Sequence, residues 1–393
     1  MNTPNPPAPL APDLRSRWLL RPEVTFLNHG SFGATPQCVL DEQDHWRRRI
    51  EAEPVELLSR RRPELIDVAK KSVGEFLGMN IEDFGFVTNA TEGINAVLRS
   101  LPFSAGDELL TTNHVYNAVR QAMRYVCRRT DATYREIDVP IPVSSASQVA
   151  QRILSQLGPR TRLLVLDHVT SPTGLVFPVE AVVAECNARG IDVLLDGAHA
   201  PGMLPLHVPD SGAAYYAGNL HKWCGAPKGT GFLWVRPDRQ SPIHPLVISH
   251  HLDEGFAHEF GWQGTRDWAA CLAVPRGLAF FAQLGWDRVR THNHQMATWA
   301  QGLLSRQWGT EPISPLDGSL LGSLAAVPLP PPLHRMNDAQ GQALQQRLYS
   351  EFRIEVPLMH WCGRWLLRVS CQVYNVPEDY ERVVAVIGEL AGR

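Results

Sequence analysis

Lys222 stands in the string Asn219-Leu220-His221-Lys222-Trp223-Cys224-Gly225-Ala226-Pro227-Lys228-Gly229, after an apolar run at 214–218 and before another at 232–235. So placed, it is either a surface group in a glycine-rich turn or an amine kept from water for chemistry. Asp196 bears on the choice, because it closes a further apolar run at 191–195. A carboxylate at the end of a buried strand needs a counter-group, since an ion buried alone is strongly destabilising.

One aromatic cofactor satisfies both residues. Pyridoxal 5′-phosphate (PLP) works with its pyridine nitrogen protonated, which an aspartate maintains, and rests with its aldehyde as an imine on a lysine. Its phosphate needs donors. Asn89-Ala90-Thr91 opens a helix expected from about residue 92, so its free backbone N–H groups and the Thr91 hydroxyl form an anion site. Asn219 and His221 flank Lys222 and can add side-chain donors. A plain helix cap is the other reading of Thr91, and a turn residue that of Asn219. His114 follows a strand-like segment at 108–112, and its ring can stack on the pyridine face unless it is a satisfied core group. His199, three residues past Asp196, can hydrogen-bond the phenolic oxygen.

A substrate carboxylate calls for a planar two-pronged donor. In the stretch 365–373, strict alternation puts Leu367, Val369, Cys371 and Val373 on one face and Arg368, Ser370 and Gln372 on the other. A bidentate clamp is the natural use of Arg368, with a structural salt bridge as the alternative.

The elements that must position these residues alternate between strand and helix. Residues 84–88 read as a strand, followed by a helix with Ile94, Val97, Leu98 and Leu101 on its apolar face. Residues 162–169 are almost continuously apolar, as a strand covered on both faces requires. A loop at 170–174, a helix with Pro178 at its start and Gly190 past its end, and the strand at 191–195 complete a βαβ unit. The fold class expected is therefore α/β, with a mostly parallel central sheet flanked by helices and its ligand beyond the carboxyl ends of the strands. Past residue 275, helical stretches at 278–284 and 291–308, a Pro-rich linker at 327–333, a helix at 339–351, the strand at 365–373 and a closing helix from Pro377 read as a smaller α+β domain. The expected organisation is a Pro-rich mobile arm at 1–23, a large domain at 24–275 and a small C-terminal domain at 276–393.

Composition sets the outer bounds. The 393 residues are 44% hydrophobic and 20% charged, with a formal net charge of -3 and no long run of one sign, so neither a nucleic-acid nor a membrane surface is expected. Seven scattered cysteines without a C-x-x-C pair argue against a disulfide framework or a zinc ribbon. A soluble, cytoplasmic protein is the expectation.

Together these strings resemble the class V aminotransferase family of fold-type I PLP enzymes, and within it the isopenicillin N epimerase group. Asn-Ala-Thr-Glu-Gly at 89–93, His-Val-Thr-Ser-Pro-Thr-Gly at 168–174, Asp-Gly-Ala-His-Ala-Pro-Gly at 196–202 and His-Lys-Trp at 221–223 carry the resemblance in that order. It implies that Asp196 pairs with the pyridine nitrogen, Lys222 forms the imine and His114 stacks on the ring. Ala90, Thr91, Asn219 and His221 would hold the phosphate, and Ser171 and His199 would approach the phenolic oxygen. The segment Gly264-Thr265-Arg266-Asp267 would complete the phosphate site of a neighbouring subunit through Thr265, in a homodimer with shared sites. The string at 28–33, with Asn28, His29 and Ser31, resembles a substrate-side loop.

The implied reaction is bond-breaking at the α-carbon of an amino acid: epimerisation first, transamination second, carbon–sulfur elimination third. Epimerisation needs a second acid or base, for which Tyr116 and His29 are the candidates. Desulfurases of the wider family use a cysteine well ahead of the substrate arginine, whereas Cys362 here lies only six residues before Arg368. A metal hydrolase built on His244, His250, His251, His258 and Glu259 lacks helical i, i+4 spacing, so no metal is expected. Nucleotide binding fails for want of a glycine motif in the required order. A catalytically dead scaffold is disfavoured by the joint presence of Asp196, Lys222 and Arg368.

Overall fold

The structure is a computed structural model that describes residues 5–392. A short strand, β1 (Thr25–Phe26), precedes the seven strands of the main sheet: β2 (Phe84–Val87), β3 (Glu108–Thr112), β4 (Thr133–Ile137), β5 (Thr161–Asp167), β6 (Asp192–Gly197), β7 (Tyr215–Asn219) and β8 (Gly231–Val235). The sheet order is β2-β8-β7-β6-β5-β3-β4. Only β8 is antiparallel to its neighbours, so the carboxyl ends of the other six strands share one edge.

Alternation along the strands sorts side chains between two helical layers. Leu163 and Val165 of β5 and Leu194 of β6 face a cluster with Ile94, Val97 and Leu98 of helix Ala90–Ser100 and Met123 of helix Asn117–Thr130. Leu164, Leu166, Val193 and Leu195 face the other way, toward Val182 of helix Val179–Ala188 and Val73 of helix Arg62–Leu77. The same parity carries Asp167, Asp196 and Asn219 to the first face, just past the apolar layer and beside the N-terminus of helix Ala90–Ser100. That shared face is what brings distant motifs into one site.

The C-terminal part holds β9 (Leu324–Pro328), β10 (Ile354–Glu355), β11 (Leu358–Trp361) and β12 (Arg364–Ser370). The order β11-β12-β9 is antiparallel throughout, while β10 pairs in parallel with β1. The polar face of β12 receives the N-terminal segment: Ser370 N donates to Leu27 O at 2.9 Å and Gly30 N donates to Ser370 Oγ at 2.9 Å.

Two expectations need correction. The stretch read as a Pro-rich linker begins inside β9, because Leu324, Ala325, Ala326 and Val327 are fully buried and only the last strand position is a proline. There Pro328 opposes Leu366 at the strand's end, where a missing N–H does least harm. The N-terminal arm is not free where the structure describes it, from residue 5 onward. Trp18 is buried, meets Phe280 and Tyr374 edge-on at 5.3 and 5.0 Å, and donates its indole N–H to Ala34 O at 3.0 Å. Burying one such ring contributes roughly 2 kcal/mol. Residues 1–4 of the expected arm, and Arg393, lie outside the described residues. Among the described residues, no helix is long and apolar enough to cross a membrane.

One glycine ties the N-terminal loop to the Lys222 turn. Gly33 has φ 72°, and a Cβ there would stand 2.0 Å from the His221 carbonyl oxygen and 3.0 Å from Lys222 Cα. Gly33→Ala should therefore lose more than about 2 kcal/mol of stability in urea denaturation, left-handed strain plus backbone collision. Gly106→Ala is the matched control, with φ 96° and nothing within 4 Å of the added carbon, and should show the smaller loss of strain alone.

Candidate active site

A cavity of about 420 Å³ opens at the carboxyl edge of the sheet, with Asp196, Lys222, Ser171, Thr91 and Tyr116 among its lining residues. Sequence segments more than a hundred residues apart converge there because each follows the end of a strand of the main sheet or lies on the loop laid across it.

Lys222 is only 9% exposed. Its Nζ lies 3.1 Å from His199 Nε2, and the Trp223 indole N–H donates to His199 Nδ1 at 3.5 Å. An indole can only donate, so Nδ1 is the acceptor and Nε2 carries the proton of the neutral ring. Nε2–H then donates to the lone pair of an uncharged lysine. Burial, reinforced by the positive charge of Arg368, brings the Lys222 amine down to about 7, with Asp196 opposing. Burial and the nearby cations also hold His199 well below the usual histidine range. This lysine is nucleophilic at neutral pH.

Asp196 is 3% exposed and accepts from Ala198 N at 3.0 Å. Burial raises its affinity for a proton, while the Ala198 N–H and Lys222 work the other way. Asp167 sits beside it on β5, also buried and also lining the cavity. Sequence reading missed Asp167 because it was absorbed into an apolar strand. The signal was available, since Leu-Val-Leu-Asp at 164–167 ends as Val-Leu-Leu-Asp does at 193–196.

The anion end is narrower in donors than the sequence implied. Asn89 caps the helix by accepting from Glu92 N at 3.0 Å, and Glu92 accepts from Thr88 N at 2.7 Å. Ala90 lines the cavity, but its N–H is spent on Asn219 Oδ1 at 2.8 Å, which corrects its assignment as a phosphate donor. That bond orients the Asn219 amide so that its NH₂ group remains. His221 Nδ1 donates to Thr230 O at 2.8 Å, which leaves Nε2 without a proton in the neutral ring. Burial and the Lys222 and Lys228 charges lower His221 to about 4, with the Thr230 carbonyl opposing. It becomes a donor only when an anion draws a second proton onto it. Among the described residues, the Thr91 N–H and hydroxyl have no hydrogen-bond partner. Lys228, which the sequence reading passed over, lines the cavity and donates to Thr35 Oγ1 at 3.1 Å.

Arg368 is 1% exposed and does not itself line the cavity. Its Nη1 donates to the Ser171 carbonyl and hydroxyl, and its Nη2 approaches the Ser31 hydroxyl at 3.4 Å. Both serines line the cavity. Nε is buried with no partner, and no carboxylate pairs with this guanidinium among the described residues. Burial lowers it to about 10. A structural salt bridge is thus not what it makes.

Several expected site residues lie elsewhere. His114 is fully buried, donates from Nε2 to Val139 O at 2.8 Å, accepts at Nδ1 from Thr173 Oγ1 at 2.7 Å and packs on Trp361 and Phe177. With both ring nitrogens used and its ring outside the cavity, it has no face to offer a cofactor. Tyr116, two residues on, does line the cavity, as does Phe32. His29 is likewise enclosed: Nε2–H donates to Lys222 O at 3.0 Å, Nδ1 accepts from Tyr374 at 2.8 Å, and burial lowers it to about 3. It braces the Lys222 backbone and faces no substrate. Asn28 lies behind the cavity, holding the Ser31 hydroxyl and Glu355. Thr265 is exposed and apart from this cavity. His244 bonds Glu259 at 2.7 Å and His251 bonds Glu254 at 2.8 Å, so these histidines do not converge on a common point.

The residues present fit PLP: a nucleophilic amine, a buried carboxylate and an anion end occupy one cavity of suitable size. Comparison with known proteins points the same way. The sequence pattern of the aminotransferase class-V family matches residues 26–382. The isopenicillin N epimerase of Amycolatopsis lactamdurans is 35% identical over 96% of this chain and 98% of its own. A putative L-cysteine desulfhydrase of Oryza sativa subsp. japonica is 32% identical over 93% of this chain and 83% of its own. Among solved structures, a C-DES variant with glycine covalently linked to its PLP cofactor superposes with a TM-score of 0.83, covering 96% of this chain and all of that one at 21% identity. At that identity the likeness speaks to fold.

An amine at about 7 is roughly half uncharged at pH 7 and about nine-tenths uncharged at pH 8. Arylation of cofactor-free protein by fluorodinitrobenzene, read by peptide mass spectrometry, should rise at Lys222 up to about pH 8 and then level off.

Proposed function

The chain belongs to the aminotransferase class-V family, whose enzymes depend on PLP, and we propose that it moves the α-proton of an amino acid with Lys222, giving epimerisation. The observation that carries this reading is the buried, neutral-capable Lys222 amine held against His199 in the cavity that Asp196 shares.

When bound, PLP supplies an aldehyde for the Lys222 and substrate amines and a protonated pyridine ring that takes up the electrons left on the α-carbon. Asp196 would keep the ring nitrogen protonated, and Ser171 and the His199 Nε2–H would serve the phenolic oxygen. Thr91 and Asn219 bind the phosphate, His221 joining them by taking up a proton. With the substrate amine on the cofactor, Lys222 Nζ would be free to serve as the base for the α-proton. The substrate carboxylate takes the place of the Ser31 hydroxyl on Arg368 Nη2, filling the one weak contact of a buried, unpaired guanidinium. Tyr116 covers the ring where His114 was expected, and its hydroxyl is the candidate acid for the opposite face.

A second reading, carbon–sulfur elimination, is favoured by the similarity to the desulfhydrase over 93% of this chain. It uses the same residues, and Lys222 returns a proton to the leaving thiolate. No cysteine is among the cavity-lining residues, which argues against transfer of sulfur onto the protein. A homodimer completes the proposal, since Leu246, Val247, Ile248 and Leu252 are large apolar side chains exposed within one short segment.

Incubation of the PLP-loaded enzyme with single L- and D-amino acids in deuterated water separates the outcomes. Epimerisation predicts deuterium at the α-carbon with loss of optical purity, and released thiol with keto acid would assign the lyase reading instead. Lys222→Ala should abolish the borohydride-sensitive visible absorbance and all turnover. Arg368→Gln should raise KM for the amino acid about 100-fold, the loss of a charge-assisted contact of roughly 3 kcal/mol. Sedimentation should give a dimer that Ile248→Asp shifts toward monomer.

A further inference from the structure

Asp167 is the buried titratable group of this cavity that the reaction above leaves unused. It lies in register with Asp196 on the adjacent parallel strand, Asp167 opposite Asp196 at the last pair of the β5–β6 ladder. Strand parity points both side chains to the same face, and both line the cavity while 2% and 3% exposed. Neighbouring strands are about 4.8 Å apart. Neither carboxylate belongs to an ion pair among the described residues. Asp167 Oδ2 is fully enclosed with no hydrogen-bond partner.

Among the described residues, no cation makes an ion pair with Asp167 from any element packed against it. On β6 there is the Asp196 carboxylate; ahead of helix Asn117–Thr130 there is the Tyr116 backbone N–H, which favours the charged form of Asp167. From that helix comes Arg120, whose guanidinium is bonded to Glu136 at 2.8 Å. Lys222 acts on Asp196.

We propose that Asp167 and Asp196 form one proton-sharing pair, and that Asp167 is a positioning residue through which the pair grips the ring-nitrogen end of the cofactor. Two carboxylates this close in a dry site cannot both ionise without a cation. Without the cofactor the pair therefore keeps one proton. A cationic ring nitrogen supplies the missing charge: the O–H bond of the pair breaks, the nitrogen takes the proton, and both carboxylates then hold it. Burial and the Asp196 charge both raise Asp167 well above the ordinary carboxylate range, in keeping with this. Only the cofactor half of the proposal rests on the PLP reading.

The sign of the effect on stability follows. The folded, cofactor-free chain binds one proton more than the unfolded chain above about pH 4, so that contribution is intact below this value and is lost as pH rises toward the raised value of the pair. The loss is about tenfold in the folding equilibrium constant per pH unit. The experiment is urea denaturation from pH 4.5 to 8.5 of cofactor-free full-length protein as wild type, Asp167→Asn, Asp196→Asn and the double variant. The buried histidines are common to all four, but Asp196→Asn also moves the Lys222 amine that Asp196 acts on, so Asp167→Asn against wild type is the deciding comparison. Each single substitution should remove most of the fall, and the second should add little to the first. A wild-type slope in Asp167→Asn, or additive effects of the two, overturns the shared proton. With PLP added, Asp167→Asn should bind it about tenfold more weakly than wild type and lose its ring proton at lower pH, read from the visible band. Wild-type affinity and an unmoved band in that variant overturn the grip on the cofactor. Should no variant, wild type included, take up PLP, the proposed function fails while the cofactor-free measurement still decides the pair.

Discussion

The removal of one amine and one carboxylate from water, on the same edge of one sheet, is the constraint around which the rest of the molecule is arranged. Neither Lys222 nor Asp196 has a covalent reason to be buried, and each costs free energy where it is. Asp196 is carried inward by β6, whose other residues are held in two apolar layers, and Lys222 is carried inward by the turn that follows β7. The chain cannot release either group without opening strands that are buried on both faces. Burial in turn gives each its chemistry, because desolvation favours an uncharged lysine and a carboxyl group with a strengthened hold on protons.

Around that pair the frame is made largely of neutral histidines. His29, His114, His199 and His221 are all shifted downward, chiefly by burial. Backbone carbonyls fix the tautomers of three of them, and the Trp223 indole fixes the fourth. Because each ring has a set donor and a set acceptor, each can brace a particular atom. His29 braces the Lys222 carbonyl and His199 the Lys222 amine, so the N-terminal loop and the strand end after β6 hold the same residue from two sides. Gly33 allows that close approach.

The relatives include an epimerase and a desulfhydrase at comparable identity. That spread has a physical basis. The machinery that removes an α-proton is common to both outcomes, and the outcome depends on which group next meets the α-carbon or its neighbour. Beyond the residues already assigned, Tyr116, Ser31, Phe32 and Lys228 line the same cavity.

The residues themselves determined the α/β class, the cofactor chemistry and the identity of Lys222, Asp196, Thr91, Asn219 and Ser171 as neighbours in one cavity. Those inferences rest on local regularities: apolar runs that end in a polar residue, and a helix opened by Asn-Ala-Thr. What a local pattern cannot carry is the direction in which a side chain leaves the end of a strand. His114 lies past the last paired residue of β3, where strand parity lapses, and tertiary packing turned it into the core while Tyr116 faced the cavity. Hydrogen bonds between distant segments were equally out of reach, so the loss of the Ala90 N–H to Asn219 and of the His29 ring to Lys222 and Tyr374 emerged only in three dimensions. The pairing of Asp167 with Asp196 has the same origin, since strand register is a relation between two segments and neither one records it.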